Sequence, residues 1–274
     1  MNTDYRRQKL YLKGERMYMA YEMRIEDNII IFQFKSNKVS SISLETLKGL
    51  DAALDKASNE EDIKGIIMVG TDRFFSGGFD LNEFVSFKDG QEILDWFKIE
   101  EEVLLKLFTC PKPVIAAING NATAAGMIVA MAADWRIAIN HPKVKIGMTE
   151  IKIGLSLTPA EAGLMRWGLD SEKNYRDVIF KGELLSVTEM AERGVFDELV
   201  DDHEHLMEQA KAKVVALIDT PGRPFMGLKV MHREEAARVI RRQIDEFEWD
   251  MLVKTFTDEK IIGTLTMVKN ALGI

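Results

Sequence analysis

The chain has 274 residues, 46% of them apolar, enough to bury one large core. A formal charge of -8 excludes a global basic field that would recruit nucleic acid or an anionic membrane. The single cysteine, Cys110, excludes an intrachain disulfide and points to a reducing compartment, the cytoplasm.

Residues 1–20 are rich in Arg and Lys but interrupted by Asp4 and Glu15, with no serine and no apolar h-region, so they read as a flexible leader and not a transit peptide. Ile29–Phe34 is a β-rich apolar run. Ser43 then caps a helix whose Leu44, Leu47, Leu50 and Leu54 recur at helical spacing, with Glu45 in the first turn. Ile63–Val69 is a second buried strand, and strand, helix, strand predicts a crossover and an α/β core. Ser76, Gly77 and Gly78 follow as a bend of small residues, where backbone can approach a ligand. Asp89 and Glu92 open a helix carrying Ile93, Phe97, Leu104 and Phe108 on one face, which stops before Pro111.

Val114–Ile118 has a strand's length and ends at the Asn119-Gly120 turn signal. The small residues Ala122 to Gly126 then open a buried helix. Downstream, Glu150 is a lone acid among Ile146, Met148, Ile151 and Ile153. Thr158-Pro-Ala-Glu161 and Ser186-Val-Thr-Glu189 have capping-box spacing, a better explanation of Glu161 than a second acid, although its distance from Glu150 keeps it a minor candidate for a replacement acid. Gly194 fits a helix stop before a strand at Phe196–Val200, and a helix follows over about 204–219. His203 and His205 beside Asp201 and Asp202 read as its solvated start, not as metal ligands. Pro221, Gly222 and Pro224 mark a joint, beyond which the pattern is helical only. No apolar run reaches membrane-spanning length. The division expected is a leader over 1–20, a core over 21–220 and a helical region over 221–274.

Two turns rich in small residues, 76–80 and 122–126, each follow a buried strand. If those strands are neighbours, two backbone N–H groups converge on one oxygen, as in an oxyanion hole. Small residues after strands also serve plain close packing, so spacing alone leaves both readings open.

The segments FFSGGFDLNEF, KPVIAAING and IGMTEIKIGLS resemble the crotonase (enoyl-CoA hydratase/isomerase) superfamily, over about residues 29–200. The resemblance implies a crotonase-like spiral of ββα units, with C-terminal helices that assemble homotrimers or homohexamers. It implies an acyl-CoA thioester substrate, coenzyme A being part of that substrate and no separate cofactor being needed. It places the two oxyanion-hole amides at Phe79 and Ala125. Of the two glutamates of the family's hydratases, the second maps onto Glu150 and the first onto Ile128. Lys38, Val39 and Ser40 fall in the CoA-binding segment and Leu81 near the adenine pocket, while Met127, Ile128 and Met148 are expected to line the site around Glu150. The family usually has glycine at 124 and 125; a helix-start backbone is expected to suit the alanines found here.

Adding water calls for one group to activate it and another to handle the second proton, so a lone acid argues against hydration. Moving a double bond needs one base. FKSNKVSSISLETL and DWRIAINHPKVKIGMTE resemble the Δ3,Δ2-enoyl-CoA isomerase branch, which implies proton shuttling by Glu150 alone. The alternatives are another crotonase reaction (hydratase, hydrolase or decarboxylase) and a non-catalytic acyl-CoA-binding subunit.

Overall fold

A computed structural model describes residues 19–274, so the expected leader lies outside the described residues except for Met19 and Ala20. Strands β1 (Tyr21–Glu26) and β2 (Ile29–Phe34) form a hairpin. Its turn residues Asp27 and Asn28 have φ of 53° and 64°, the sign a tight two-residue hairpin turn requires at both positions. Helix α1 (Leu44–Asn59), capped by the Ser43 hydroxyl, crosses to β3 (Gly65–Val69), which runs parallel to β2. The strand expected from Ile63 thus starts two residues later.

A six-stranded sheet continues from β3 through β5 (Val114–Ile118) and β7 (Trp135–Ile139) to β10 (Glu198–Val200), all parallel. Its central strands are buried on both faces, which is why they read as unbroken apolar runs. Ile30, Phe32, Ile66 and Met68 pack with α1 and α3 (Gly90–Thr109), while Ile29, Ile31, Ile67 and Ile115 face Leu206, Ala210 and Val214 of α8 (His203–Leu217).

A second, four-stranded sheet has the order β4 (Phe74–Ser76), β6 (Asn121–Thr123), β8 (Lys145–Gly147) and β9 (Leu184–Ser186). Its first three strands are parallel, and β8 and β9 are antiparallel. Because residues 121–123 pair in this sheet, the buried helix expected from Ala122 begins only at Ala125, as α4 (Ala125–Ala132). The short helices α2 (Leu81–Phe84), α6 (Glu172–Ile179) and α7 (Val187–Glu192) lie between larger elements. Both expected capping boxes are present, at the starts of α5 (Pro159–Gly168) and α7.

Beyond the joint at 221–224 come α9 (Phe225–Asp245), α10 (Trp249–Thr257) and α11 (Glu259–Leu272). They share the main core, contributing Ile240, Ile244, Leu252, Phe256 and Leu265. A buried ion cluster holds α9 in place: Asp134 meets the Lys229 ammonium at 2.5 Å and the Arg233 guanidinium at 2.8 Å. Both cations also donate to backbone carbonyls, Lys229 to Lys112 and Arg233 to Phe108 and Ala132.

Candidate active site

Three neighbouring parallel strands of the smaller sheet each end at one group of the site. Just past β4 lies the Phe79 amide, just past β6 the Ala125 amide, and just past β8 the Glu150 carboxyl. Strand spacing alone puts groups beyond the carboxyl ends of adjacent parallel strands about 5 Å apart, and those of β4 and β8, with β6 between them, about 10 Å apart. The strands hold only three residues each, so the contacts between their loops fix the geometry. The Thr123 hydroxyl donates to the Gly77 carbonyl at 3.3 Å, and the Gly77 amide donates to the Val39 carbonyl at 2.8 Å.

Gly78 has φ of 114°, and a methyl group there would come within 2.7 Å of the Ala124 Cβ and 3.6 Å of the Ala125 nitrogen. The two loops therefore touch at the expected amides. Ile42 bridges the first loop: its N–H donates to the Gly78 carbonyl at 2.8 Å, and its carbonyl accepts from the Asp80 N–H at 2.9 Å. Alternation along the bridge turns the Phe79 N–H away from Ile42. Ala125 is the first residue of α4, where an N–H has no intrahelical partner. Neither amide has an acceptor among the described residues. The Phe79 ring is fixed edge-on against Trp96, at 4.9 Å, and Trp96 Nε1 donates to Glu83 at 2.7 Å.

Ala124 departs from expectation. Its φ of 54° and ψ of -132° belong to a region alanine avoids, so the helix-start backbone does not suit it. Strain of that kind costs about 1–3 kcal/mol. It is held by the Ala124 N–H donating to the Gly147 carbonyl at 3.0 Å, and by the Met127 and Ile128 amides donating to the Ala124 carbonyl.

Glu150 begins a 3-10 turn, Glu150–Ile153, that ends at Gly154 in the left-handed region. Its Oε2 is shut off from solvent and has no hydrogen-bond partner among the described residues. Burial pushes its pKa up to about 7, against the smaller opposing pull of backbone N–H groups at Glu150 and Thr149. Glu150, Phe79 and Ala125 line one cavity of about 220 Å³. Leu81, Phe84, Phe97, Leu252 and Phe256 give it an apolar wall, and Val268 and Leu272 of α11 border it too. The chamber can place a polarised oxygen against two amides and a proton acceptor beside the same molecule.

Of the other residues singled out from sequence, Val39 and Leu81 line this cavity. Ser40 is fully buried and bonded to the Thr71 hydroxyl at 2.7 Å, and the Lys38 ammonium lies beside Gly273 at the end of α11. Met127, Ile128 and Met148 are buried in the core and do not line the cavity, whose walls come instead from α2, α3, α10 and α11. Asp80 caps α2 and Asp134 belongs to the ion cluster. One further cavity residue, Glu161, accepts from the Thr158 N–H at 2.8 Å, as its capping-box spacing predicts.

Sequence reasoning missed two acids behind the site, Glu100 and Glu101 on α3, both fully buried. The signal was present: Glu100 lies three residues after Phe97 and four before Leu104, on the apolar stripe of the helix.

Fold and sequence together define the class. The pattern of the enoyl-CoA hydratase/isomerase family matches residues 24–270, and the chain belongs to that family. It is 26% identical to mouse mitochondrial enoyl-CoA delta isomerase 1 over 216 residues, 78% of this chain and 74% of that protein. It is 28% identical to a probable enoyl-CoA hydratase of Bacillus subtilis (strain 168) over 194 residues, 70% of this chain and 74% of that protein. The crystal structure of human mitochondrial delta3-delta2-enoyl-CoA isomerase superposes with a TM-score of 0.83 at 24% identity, covering 93% of this chain and 98% of that one. The fold is thus the crotonase fold, and the relatives include both isomerases and hydratases.

Proposed function

We propose that the protein is an enoyl-CoA isomerase that moves a double bond from the 3- to the 2-position of an acyl-CoA thioester. One observation carries this reading: Glu150 and the free amides of Phe79 and Ala125 open on a single cavity, while Ile128, at the first hydratase glutamate position, is sealed in the core.

The thioester oxygen accepts from the Phe79 and Ala125 N–H groups. Glu150 removes a proton from C2, the C2–H electrons pass into a dienolate, and the charge collects on that oxygen. Each such donor contributes roughly 3 kcal/mol to the transition state. Return of a proton at C4 restores the carbonyl and leaves the double bond between C2 and C3. A pKa near 7 makes Glu150 a base and a competent acid at the same pH. The chemistry calls for no cofactor beyond the coenzyme A of the substrate.

The test is to offer 3-hexenoyl-CoA and follow the conjugated 2-enoyl thioester by its ultraviolet absorbance, with Glu150→Gln beside the wild type. The expected outcome is turnover by the wild type and a loss of about 10²–10⁴-fold in the variant, with thioester binding kept. Hydration of 2-enoyl-CoA by a wild type that leaves 3-enoyl-CoA untouched would favour the hydratase alternative. Binding without either reaction would favour a non-catalytic subunit. A homotrimer or hexamer goes with this reading, supported by the exposed Leu228, Val230 and Met231 on α9; sedimentation velocity checks it. So does a cytoplasmic location, which imaging of the tagged full chain checks. No helix among the described residues is long and apolar enough to cross a membrane.

A further inference from the structure

The chain contains two copies of one local motif in opposite surroundings. At the start of α7, Glu189 accepts from the Ser186 N–H and hydroxyl at 2.8 and 2.7 Å on the open surface. Those donors hold it below the usual carboxylate range. At the start of α5, Glu161 makes the same reach back to the Thr158 N–H, but its side chain is buried and faces the cavity of Glu150. A cap needs no such placement. Behind Glu161 stand two more acids. Both Glu100 oxygens are buried without a hydrogen-bond partner, and both Glu101 oxygens accept from the Ala160 N–H, at 3.0 and 3.1 Å. Among the described residues, Glu100, Glu150 and Glu161 have no ion-pair partner. Burial of that kind favours the protonated form and raises the pKa of each.

We propose that Glu161 is a second catalytic residue, delivering to C4 the proton that Glu150 afterwards restores to it. This rests on the isomerase reading. The cycle starts with Glu150 as carboxylate and Glu161 as carboxylic acid. Glu150 takes the C2 proton, giving the dienolate. Glu161 gives its proton to C4; the enolate oxygen re-forms the carbonyl, and Glu161 is left as carboxylate. Transfer of the proton from Glu150 to Glu161 resets the pair, and no other reactant is consumed. Burial raises both carboxyls, Glu161 to about 8 and Glu150 to about 7. Their placement divides the roles: Glu161, held by the Thr158 N–H, is buried, while Glu150 is the less enclosed of the two.

The experiment is a single turnover with the full chain in excess over 3-hexenoyl-CoA deuterated at C2, reading the label at C4 of the product by mass spectrometry. Beside it runs Glu161→Gln, whose side-chain oxygen still accepts from the Thr158 N–H but which has no acidic proton. The expected result is ordinary hydrogen at C4 in the wild type. In Glu161→Gln, turnover is about 10²-fold slower and deuterium is kept at C4, because Glu150 must return what it took. A merely structural role would not move the label. Deuterium retained at C4 by the wild type, or the same label and rate in both proteins, overturns the inference while leaving the isomerase reading intact. The wild-type arm decides by itself against the inference if the variant does not fold. No conversion by the wild type overturns the isomerase reading and the inference with it.

Discussion

Two sets of buried acids lie within one core and are treated in opposite ways. Asp134 faces two cations and three of its contacts are short: Lys229 at 2.5 Å, Arg233 at 2.8 Å and the Val114 N–H at 2.8 Å. Glu100, Glu101 and Glu161 are buried and Glu150 is half-buried, none of them in an ion pair among the described residues, and all four have raised pKa values, first of all through burial. The difference separates structure from chemistry. The partnered carboxylate pins α9 to the start of β5. Buried carboxyls without a cation beside them cost stability and can give or take protons at neutral pH.

The largest effect that would break this contrast is at the partnered acid. Asp134→Ala strands two buried cations and should cost about 3–5 kcal/mol in chemical denaturation, with activity per folded molecule retained. A loss of activity without a loss of stability would show that the ion cluster belongs to the site.

The acids without an ion pair should instead reveal themselves through pH. A carboxyl whose pKa rises on folding loses nothing below its unfolded value of 4.5; the folded state then loses stability as pH rises towards about 7 for Glu101 and Glu150 and about 8 for Glu161. A shift of the size at Glu150 corresponds to roughly 3 kcal/mol. Thermal melts between pH 5 and 9 should show the midpoint falling with pH, and Glu100→Gln should flatten the slope. A midpoint that rises over the same range contradicts the assignment.

The smallest effect concerns the strained backbone beside the amides. Ala124→Gly removes the positive-φ penalty and should stabilise the protein by about 1 kcal/mol in denaturant melts. Destabilisation there would mean that the methyl packs better than the backbone geometry implies.

What could be read from the sequence followed the range of the interactions. Strands β2 and β5 and the caps at Ser43, Asp89, Thr158 and Ser186 are set by residues within a few positions, and they were legible. Family resemblance, not periodicity, supplied the positions of Phe79, Ala125 and Glu150. Strands β4, β6 and β8 have three residues each, too few to show alternation, so the sheet that brings these positions together left no pattern. The hairpin of β1 and β2 has its turn at Asp27-Asn28, two residue types that tolerate positive φ. The cavity wall comes from α10 and α11, whose apolar positions look the same whether they cover a core or a substrate. Glu161 was legible as a cap and as a minor candidate for a second acid; that it reaches the cavity depends on how α5 packs against α3.

The most direct test of the central claim, that Glu150 is the base of an isomerase, is the pH dependence of kcat/KM for 3-hexenoyl-CoA. Activity is expected to rise with a slope of one through an apparent pKa near 7 and to fall again above about 8, where Glu161 gives up its proton; the acidic limb disappears with the activity in Glu150→Gln. Activity already at its plateau at pH 5, where Glu150 would hold its proton, would contradict the claim.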